Sequence, residues 1–311
     1  MLKTTIHRLN RDGQNLWVEE SGCAEGLAVI VLHGGPGGGS RPEQRNFFDP
    51  LKYRVLLHDQ RGCGLSGADS PLSENTTEAI LQDLRFIQSQ LGIEGWVLFG
   101  GSWGATLALL FAQRWPENTL GMVLRGAFLA RKRDLDWFIG DEGAPRFFPE
   151  AWEKFCHDIG RLSGQSILPI VDQGLSGPDQ DLRQKVALAW EQWGAVLALG
   201  QALRKPIEQN GPGIARIIRQ VTLEIHYATH HYFIEEDQIL GAMDSIGHIP
   251  AAIIHGRLDW VCPVESSLEI HRRLGRSFLR ILEGSHHVPV DEPMISALLD
   301  ATSYLYQELR A

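Results

Sequence analysis

The sequence has no run of apolar residues long enough to cross a membrane, because no stretch approaches about 18 consecutive apolar positions. The N-terminal segment MLKTTIHRLNRDGQNLWVEE also lacks the apolar core of a secretory signal. Basic residues are in the minority, with 29 Lys and Arg against 38 Asp and Glu, for a net charge of −9. A nucleic-acid partner normally requires a basic face. We therefore expect neither a membrane nor a nucleic acid as partner.

Cysteine is also scarce, with four residues in 311. The four are Cys23, Cys63, Cys156 and Cys262. They form no CxxC pair and show no Cys/His spacing typical of zinc sites. The pattern favours free thiols in a reducing compartment, so we expect a cytoplasmic protein.

Strand and helix patterns alternate over both ends of the chain. Short apolar runs predict buried strands over 28–32, 55–57, 96–99, 122–124, 251–255 and 278–282. Apolar residues at helical spacing predict helices over 76–91, 106–114, 265–274 and 294–309. Such alternation is typical of an α/β fold, in which helices flank a mostly parallel sheet.

The middle of the chain has a different composition. Residues 131–244 are rich in Trp, Gln, Arg and helix formers and have few patterns typical of buried strands. We predict a helical cap domain over 131–244, inserted between the two halves of one α/β core, 1–130 and 245–311. A cap in this position covers the strand ends, where open α/β sheets bind ligands.

The pattern G-x-S-x-G occurs between a predicted strand and a predicted helix, as Gly100-Gly101-Ser102-Trp103-Gly104. In this context it predicts a nucleophile elbow that exposes the Ser102 hydroxyl above the sheet. Glycines fit such a turn because close packing leaves no space for a Cβ at Gly100 or Gly104. The N–H of Trp103, at the start of the helix, then points to where an oxyanion would form.

A glycine-rich loop, HGGPGGG at 33–39, follows the strand predicted over 28–32. Glycine loops can also bind phosphate, but this one has neither the P-loop lysine nor G-x-G-x-x-G spacing. We interpret it as an oxyanion loop, with an N–H near Gly35 as the second donor. His33 is interpreted as structural.

A serine nucleophile needs a base, and the base needs a carboxylate to orient it. Asp259 follows the strand predicted over 251–255, and both His286 and His287 follow the strand over 278–282. The order serine, acid, histidine is that of α/β hydrolases. We therefore predict Ser102, Asp259 and one of these two histidines as a catalytic triad.

Together these motifs resemble the proline iminopeptidase (prolyl aminopeptidase) family of α/β hydrolases over essentially the whole chain. The matching segments are HGGPGGG at 33–39, DQRGCG at 59–64, GGSWG at 100–104, VLRGAFL at 123–129 and HGRLDWVCP at 255–263. The resemblance implies an α/β-hydrolase fold and a serine exopeptidase that releases an N-terminal proline without a metal or other cofactor. Its substrates would be small peptides with a free N-terminus.

The resemblance also implies roles for individual residues. The family's nucleophile, acid and base correspond to Ser102, Asp259 and His287, although the doubled histidine keeps His286 open as the base. The oxyanion donors correspond to Gly35 and Trp103. The carboxylate that binds the substrate's amino group corresponds to Glu224 in LEIHY, and the apolar substrate contacts to Phe128, Phe138 and Cys262. Cap packing alone would explain the two phenylalanines nearly as well.

One part of the family pattern is missing. Where the family has W-x-x-W-E in the first cap helix, with a glutamate that helps to hold the amino group, this chain has Trp190-Glu191-Gln192-Trp193-Gly194. Glu191 lies three residues before Gly194 and would share its helix face. Glu191 either replaces the missing acid or is a solvated surface charge. A smaller departure is Ala228, where the family continues with Phe.

Two alternatives remain beside the prolyl aminopeptidase hypothesis. The same triad would serve a broader aminopeptidase, amidase or esterase that depends little on a free amino group. A non-catalytic binding protein on a hydrolase scaffold is less consistent with the intact Ser102, Asp259 and His287. Nothing in the sequence indicates an oligomeric state.

Overall fold

The structure, a computed structural model, describes residues 4–67, 70–200 and 212–310. Its centre is one eight-stranded sheet with the strand order β1-β2-β4-β3-β5-β6-β7-β8. The strands are β1 Thr5–Arg11, β2 Gln14–Gly22, β3 Leu27–Leu32, β4 Tyr53–His58, β5 Trp96–Gly101, β6 Thr119–Arg125, β7 Ala251–Gly256 and β8 Ser277–Leu282. The pairs β1–β2 and β2–β4 are antiparallel and all the others are parallel. The mostly parallel α/β sheet expected from the sequence is confirmed.

Ten α-helices lie within the described residues. They are α1 Thr77–Gln90, α2 Trp103–Arg114, α3 Lys132–Ile139, α4 Pro149–Ile159, α5 Ile167–Ser176, α6 Gln180–Leu199, α7 Pro212–Thr229, α8 Gln238–Gly241, α9 Val264–Arg273 and α10 Glu292–Glu308. Each predicted strand and helix is present, with boundaries that differ by up to three residues. The two N-terminal strands, β1 and β2, are not among the predicted strands.

The two faces of the sheet are covered by separate apolar clusters. Alternate residues of a strand point to opposite faces, so Leu98 packs with α1 and α2 while its neighbours Val97 and Phe99 pack with α10. These strand residues are almost fully buried, as expected for a parallel sheet covered on both sides.

Helices α3 to α7 lie between β6 and β7 and form a third apolar cluster of their own. Trp152, Phe155, Trp190, Trp193 and Val221 belong to it. The short helix α8 instead packs against the first cluster through Ile239. A helical cap over 131–244 as a separate unit stays a proposal, in which α3 to α7 share one apolar cluster. Residues 201–211 of this predicted cap lie outside the described residues.

No helix within the described residues combines the length and apolar content that crossing a membrane requires.

Candidate active site

Ser102 occupies the single residue between β5 and α2. Its backbone angles, φ 56° and ψ −122°, lie in a region that costs a non-glycine residue about 1–3 kcal/mol. Such strain persists where the surrounding structure holds it, and here the Ser102 N–H donates to the Arg125 carbonyl at 2.9 Å. A Cβ at Gly100 would collide with the Gly104 carbonyl, and one at Gly104 with the Leu32 carbonyl. The turn therefore has the close packing that the sequence predicts.

Asp259 and His287 meet at the same edge of the sheet. Asp259 follows β7 and His287 follows β8, and the carboxyl ends of these parallel strands lie side by side. His287 Nδ1 donates to Asp259 Oδ2 over 2.6 Å, and both side chains are buried. The hydrogen bond fixes the orientation of the imidazole ring and leaves Nε2 as the nitrogen available to a substrate or nucleophile.

The second carboxylate oxygen of Asp259 is bound by the main chain. Oδ1 accepts from Val261 N at 3.0 Å and from Cys262 N at 2.8 Å. Burial alone would raise the pKa of Asp259. The pKa is nevertheless below its ordinary value, because the carboxylate is stabilised by the charge and hydrogen bond of His287, by the nearby His255 and by the Cys262 N–H. Asp259 is thus an ionised carboxylate held in one orientation.

The adjacent His286 takes a different position. Its ring lies beside Gly200, where an added Cβ would come within 2.9 Å of His286 Nε2. Of the two histidines, His287 is the one hydrogen-bonded to Asp259.

The Ser102 hydroxyl lies 4.0 Å from the Cys262 thiol, and among the described residues it makes no hydrogen bond to His287. The same Cys262 Sγ lies within 4.8 Å of ligand atoms of Asp259 and His287. All four side chains therefore share one small volume. Contacts between nucleophile and base are often loose without substrate and tighten in the reactive complex.

The glycine loop 33–39 lies directly beside the elbow. A Cβ at Gly34 would come within 3.5 Å of Ser102 Cβ. Gln60 ties the loop to α2, because its amide nitrogen donates to the His33 carbonyl at 2.9 Å and its amide oxygen accepts from Trp103 Nε1 at 3.0 Å. Burial lowers the pKa of His33 to about 4, so the ring is neutral and accepts from Gln60 N at 3.0 Å.

The two predicted oxyanion donors have free N–H groups. Within the described chain, neither Gly35 N nor Trp103 N donates a hydrogen bond to another protein group. Trp103 is the first residue of α2, whose N–H has no partner inside the helix. Trp103 N, next to Ser102, and Gly35 N, next to the Gly34 that approaches Ser102, could both donate to a developing oxyanion.

Glu224 lies on α7 in the helical segment above this edge. It accepts from Trp190 Nε1 at 2.7 Å and from Gln220 Nε2 at 3.0 Å. Burial and the nearby charge of Glu191 raise the pKa of Glu224 to about 7, and these two hydrogen bonds partly oppose the rise. A carboxyl group in this state gains from a cationic partner, because an ammonium group would compensate its desolvation.

Glu191 on α6 lies close to Glu224 on α7. Gln220 Nε2 lies 3.4 Å from Glu191 Oε2 as well as 3.0 Å from Glu224, so one amide bridges the two acids. Burial raises the pKa of Glu191, against the opposing charges of Arg216 and Arg41. Glu191 is therefore part of a two-carboxylate cluster and not an isolated surface charge.

Comparisons with known proteins identify the family and the fold of the chain. A sequence profile for the alpha/beta hydrolase fold matches residues 28–293. The chain is 38% identical over 293 residues to a probable proline iminopeptidase of Leptolyngbya boryana, covering 92% of this chain and 89% of the relative. It is also 38% identical over 293 residues to a proline iminopeptidase of Xylella fastidiosa, with coverages of 94% and 93%.

The chain belongs to the proline iminopeptidase family of α/β hydrolases. It is therefore a hydrolase by family, and the resemblance seen in its motifs is confirmed. Among solved structures, the proline iminopeptidase of Mycobacterium smegmatis aligns with a TM-score of 0.61 at 17% identity, covering 98% of this chain and 99% of that one. At this identity the likeness supports the fold.

Gly194, which the sequence resemblance predicts to stand where the family has a cap glutamate, lies on α6. An added Cβ there would find Phe138 Cζ at 3.9 Å as its nearest contact, so the position has room for a side chain. Phe138 itself packs edge-on against Trp190, with ring centroids 5.6 Å apart. It thus contacts the indole that holds Glu224.

Phe128 follows β6 and packs edge-on against Tyr232, with centroids 5.0 Å apart. Both predicted aromatic contacts are half-buried members of aromatic clusters, so cap packing accounts for their burial as well as a substrate pocket would. Cys262, the third predicted apolar contact, is buried beside Ser102.

The described residues include one group that could hold a metal, formed by Asp259, Cys262 and His287. Its atoms are already engaged, since Asp259 Oδ2 and His287 Nδ1 bind each other. Burial raises the pKa of the Cys262 thiol well above its ordinary value, whereas a metal needs the thiolate. The donor set therefore fits a hydrogen-bonded acid–base pair better than a metal site.

Proposed function

We propose that this chain hydrolyses the bond after an N-terminal proline in small peptides, with Ser102 as nucleophile, His287 as base and Asp259 as the acid that orients it. The observation that supports this most strongly is the 2.6 Å His287–Asp259 hydrogen bond beside the strained Ser102 turn. Family membership supports the prolyl substrate.

In the first step, rotation about the Ser102 Cα–Cβ bond turns the hydroxyl towards His287. Its oxygen attacks the prolyl carbonyl carbon while Nε2 of His287 takes the hydroxyl proton. Asp259 stabilises the resulting imidazolium, and the N–H groups of Gly35 and Trp103 bind the oxyanion. The C–N bond then breaks, and the proton on His287 passes to the leaving amine.

The product of this step is a prolyl ester on Ser102. Water attacks the ester carbonyl, His287 again takes the proton, and proline leaves as Ser102 regains its hydrogen. In this scheme each oxyanion donor is worth about 10²–10³ in rate.

The cap supplies the recognition of the amino end. The ammonium group of the substrate binds the carboxylate of Glu224, and Glu191 takes the place of the glutamate missing at Gly194. The Gln220 bridge between the two acids supports this assignment. Binding the free amine fixes the register of cleavage at the first residue.

The absence of an acid at Gly194 favours one other candidate, a hydrolase of broader specificity with the same triad. Turnover of prolyl, alanyl and leucyl naphthylamides separates the two, with N-acetylprolyl naphthylamide as the matched substrate that lacks the charge. We expect a marked preference for unblocked proline. Equal rates on all four would refute the prolyl aminopeptidase assignment.

Ser102→Ala is the enzyme control, and it should abolish both turnover and labelling by a fluorophosphonate. Persistent labelling of this variant would exclude Ser102 as the nucleophile.

A further inference from the structure

The end of β6 touches every member of the proposed triad. The Arg125 carbonyl accepts the Ser102 N–H at 2.9 Å. The next residue, Gly126, lies so close that an added Cβ would come within 2.8 Å of Asp259 Oδ2 and 3.1 Å of His287 Nδ1. Two consecutive residues therefore contact the nucleophile's backbone and the acid–base pair.

The Arg125 side chain adds a contact of another kind. Its Nη1 donates a hydrogen bond to the His287 carbonyl. The guanidinium also lies directly over Gly101, where a Cβ would collide with Nη2, so the glycine before the nucleophile provides the space that the arginine occupies. A charged donor on a carbonyl is among the stronger hydrogen bonds.

The main chain of His287 is held from the other side as well. Its N–H donates to the Ala198 carbonyl on α6 at 3.2 Å. The residue is thus fixed by α6 through its nitrogen, by Arg125 through its oxygen and by Asp259 through its ring. Of these three, only the ring contact belongs to the acid–base pair itself.

From these contacts we propose that Arg125 is a positioning residue for catalysis. Its guanidinium holds the His287 carbonyl and its own carbonyl holds the Ser102 N–H, so Arg125 sets the placement of His287 relative to Ser102. The inference rests on the proposed function for the roles of Ser102 and His287. Arg125 touches neither substrate nor the reacting atoms in this scheme.

The role is tested with Arg125→Met and Arg125→Lys in the full chain. A base displaced by about 1 Å can cost on the order of 10²-fold, so Arg125→Met should lower kcat by about 10- to 100-fold with KM nearly unchanged. Arg125→Lys should recover part of the loss, because one ammonium donor suffices for one carbonyl.

The second readout is the rate of Ser102 labelling by a fluorophosphonate, measured per folded molecule. It depends on the Ser102–His287 geometry and not on proline recognition, so it remains informative even if the wild type does not cleave prolyl substrates. We expect the labelling rate of Arg125→Met to fall in parallel with kcat.

Arg131→Met is the matched control. Arg131 is a buried arginine that pairs with Asp134 at 2.7 Å and Glu265 at 3.1 Å, and it makes no contact with His287. Its loss should lower the unfolding temperature and leave the labelling rate per folded molecule unchanged. If Arg125→Met behaves like Arg131→Met, with reduced stability and a normal labelling rate, the positioning role is refuted.

Discussion

Replacing Glu224 by glutamine tests the proposed binding of the substrate's amino group. Gln is nearly isosteric with Glu, and its amide oxygen can still accept from Trp190 Nε1, which lies 2.7 Å from Glu224. The substitution therefore removes the charge while keeping most of the packing. Any loss on a prolyl substrate then reports the ion pair with the ammonium group.

The size of the loss follows from the environment of Glu224. A hydrogen bond to a charged group contributes about 1.5–3 kcal/mol, and truncating a buried charged pair costs about 2–5 kcal/mol. The two ranges overlap at about 2–3 kcal/mol, which is the loss we expect. At 1.4 kcal/mol per tenfold change, kcat/KM should fall about 30- to 150-fold.

The pH profile gives an independent check. Because the pKa of Glu224 is raised to about 7, the carboxyl group is neutral below that pH and cannot pair with an ammonium group. The wild-type kcat/KM for prolyl naphthylamide should therefore rise as the pH passes through about 7, and part of this rise should vanish in Glu224→Gln.

The assay compares prolyl naphthylamide with N-acetylprolyl naphthylamide in both enzymes. The variant should lose activity on the free amine and keep it on the blocked substrate. An equal loss of activity on both substrates would mean that Glu224 supports the folded structure and does not bind the amine. No loss on either substrate would mean that the substrate's amino group binds to another residue.

The same raised pKa predicts an effect on stability. A carboxyl group whose pKa is higher in the folded state than in the unfolded one stabilises the fold below about pH 4.5, and the contribution is lost as the pH rises through about 7. Glu224→Gln should therefore raise the unfolding temperature at pH 8 more than at pH 5.

Four further variants test other parts of the site. His287→Ala should lower kcat by about 10⁴-fold or more, whereas His286→Ala should keep a near-wild-type kcat, and the reverse order would exchange their roles. Gly126→Ala places a methyl group 2.8 Å from Asp259 Oδ2, at a residue with φ +51°. The acid–base pair should shift, and kcat should fall on the order of 10²-fold. An unchanged kcat would refute the close packing. Gly194→Glu should be tolerated within α6 and should raise the unfolding temperature, because glycine costs a helix about 1 kcal/mol. It should also increase the preference for unblocked proline over the blocked substrate. An unchanged preference would mean that Glu191 already suffices.

Much of the fold can be predicted because its elements have strong local signals. Five of the six predicted strands are buried runs, whereas β8, at the edge of the sheet, is only half-buried. The helix α1 also has a local signal, because the Thr76 hydroxyl caps it by accepting from Ala79 N at 3.2 Å. The exceptions are β1 and β2, the two strands of the N-terminal hairpin. Their signal is the Asp12-Gly13 turn, a common two-residue hairpin connection, but the flanking residues of β1 are mostly exposed and lack an apolar pattern.

The candidate site is predictable only in part. Ser102, Asp259 and the two histidines follow successive strands, so chain order and sheet topology suffice to bring them to one edge. Gln220 could also have been found, because it precedes Glu224 by four residues and so shares its helix face.

The contacts of Trp190 and Arg125 could not be predicted from the sequence. Their contacts with Glu224 and the His287 carbonyl join elements that are distant in sequence. No local pattern specifies which long side chain reaches across such a gap, so these partners become visible only in three dimensions.

The Gln60 bridge has a consequence for protein engineering. One amide holds both the His33 carbonyl and the Trp103 indole, so it joins the glycine loop to the nucleophile helix. Because the loop takes part through a backbone carbonyl, a loop transplanted from a relative would need to present that carbonyl to Gln60 in the same place. Chimeras that exchange 33–39 should therefore preserve the backbone shape at His33 more strictly than the side chains of the loop.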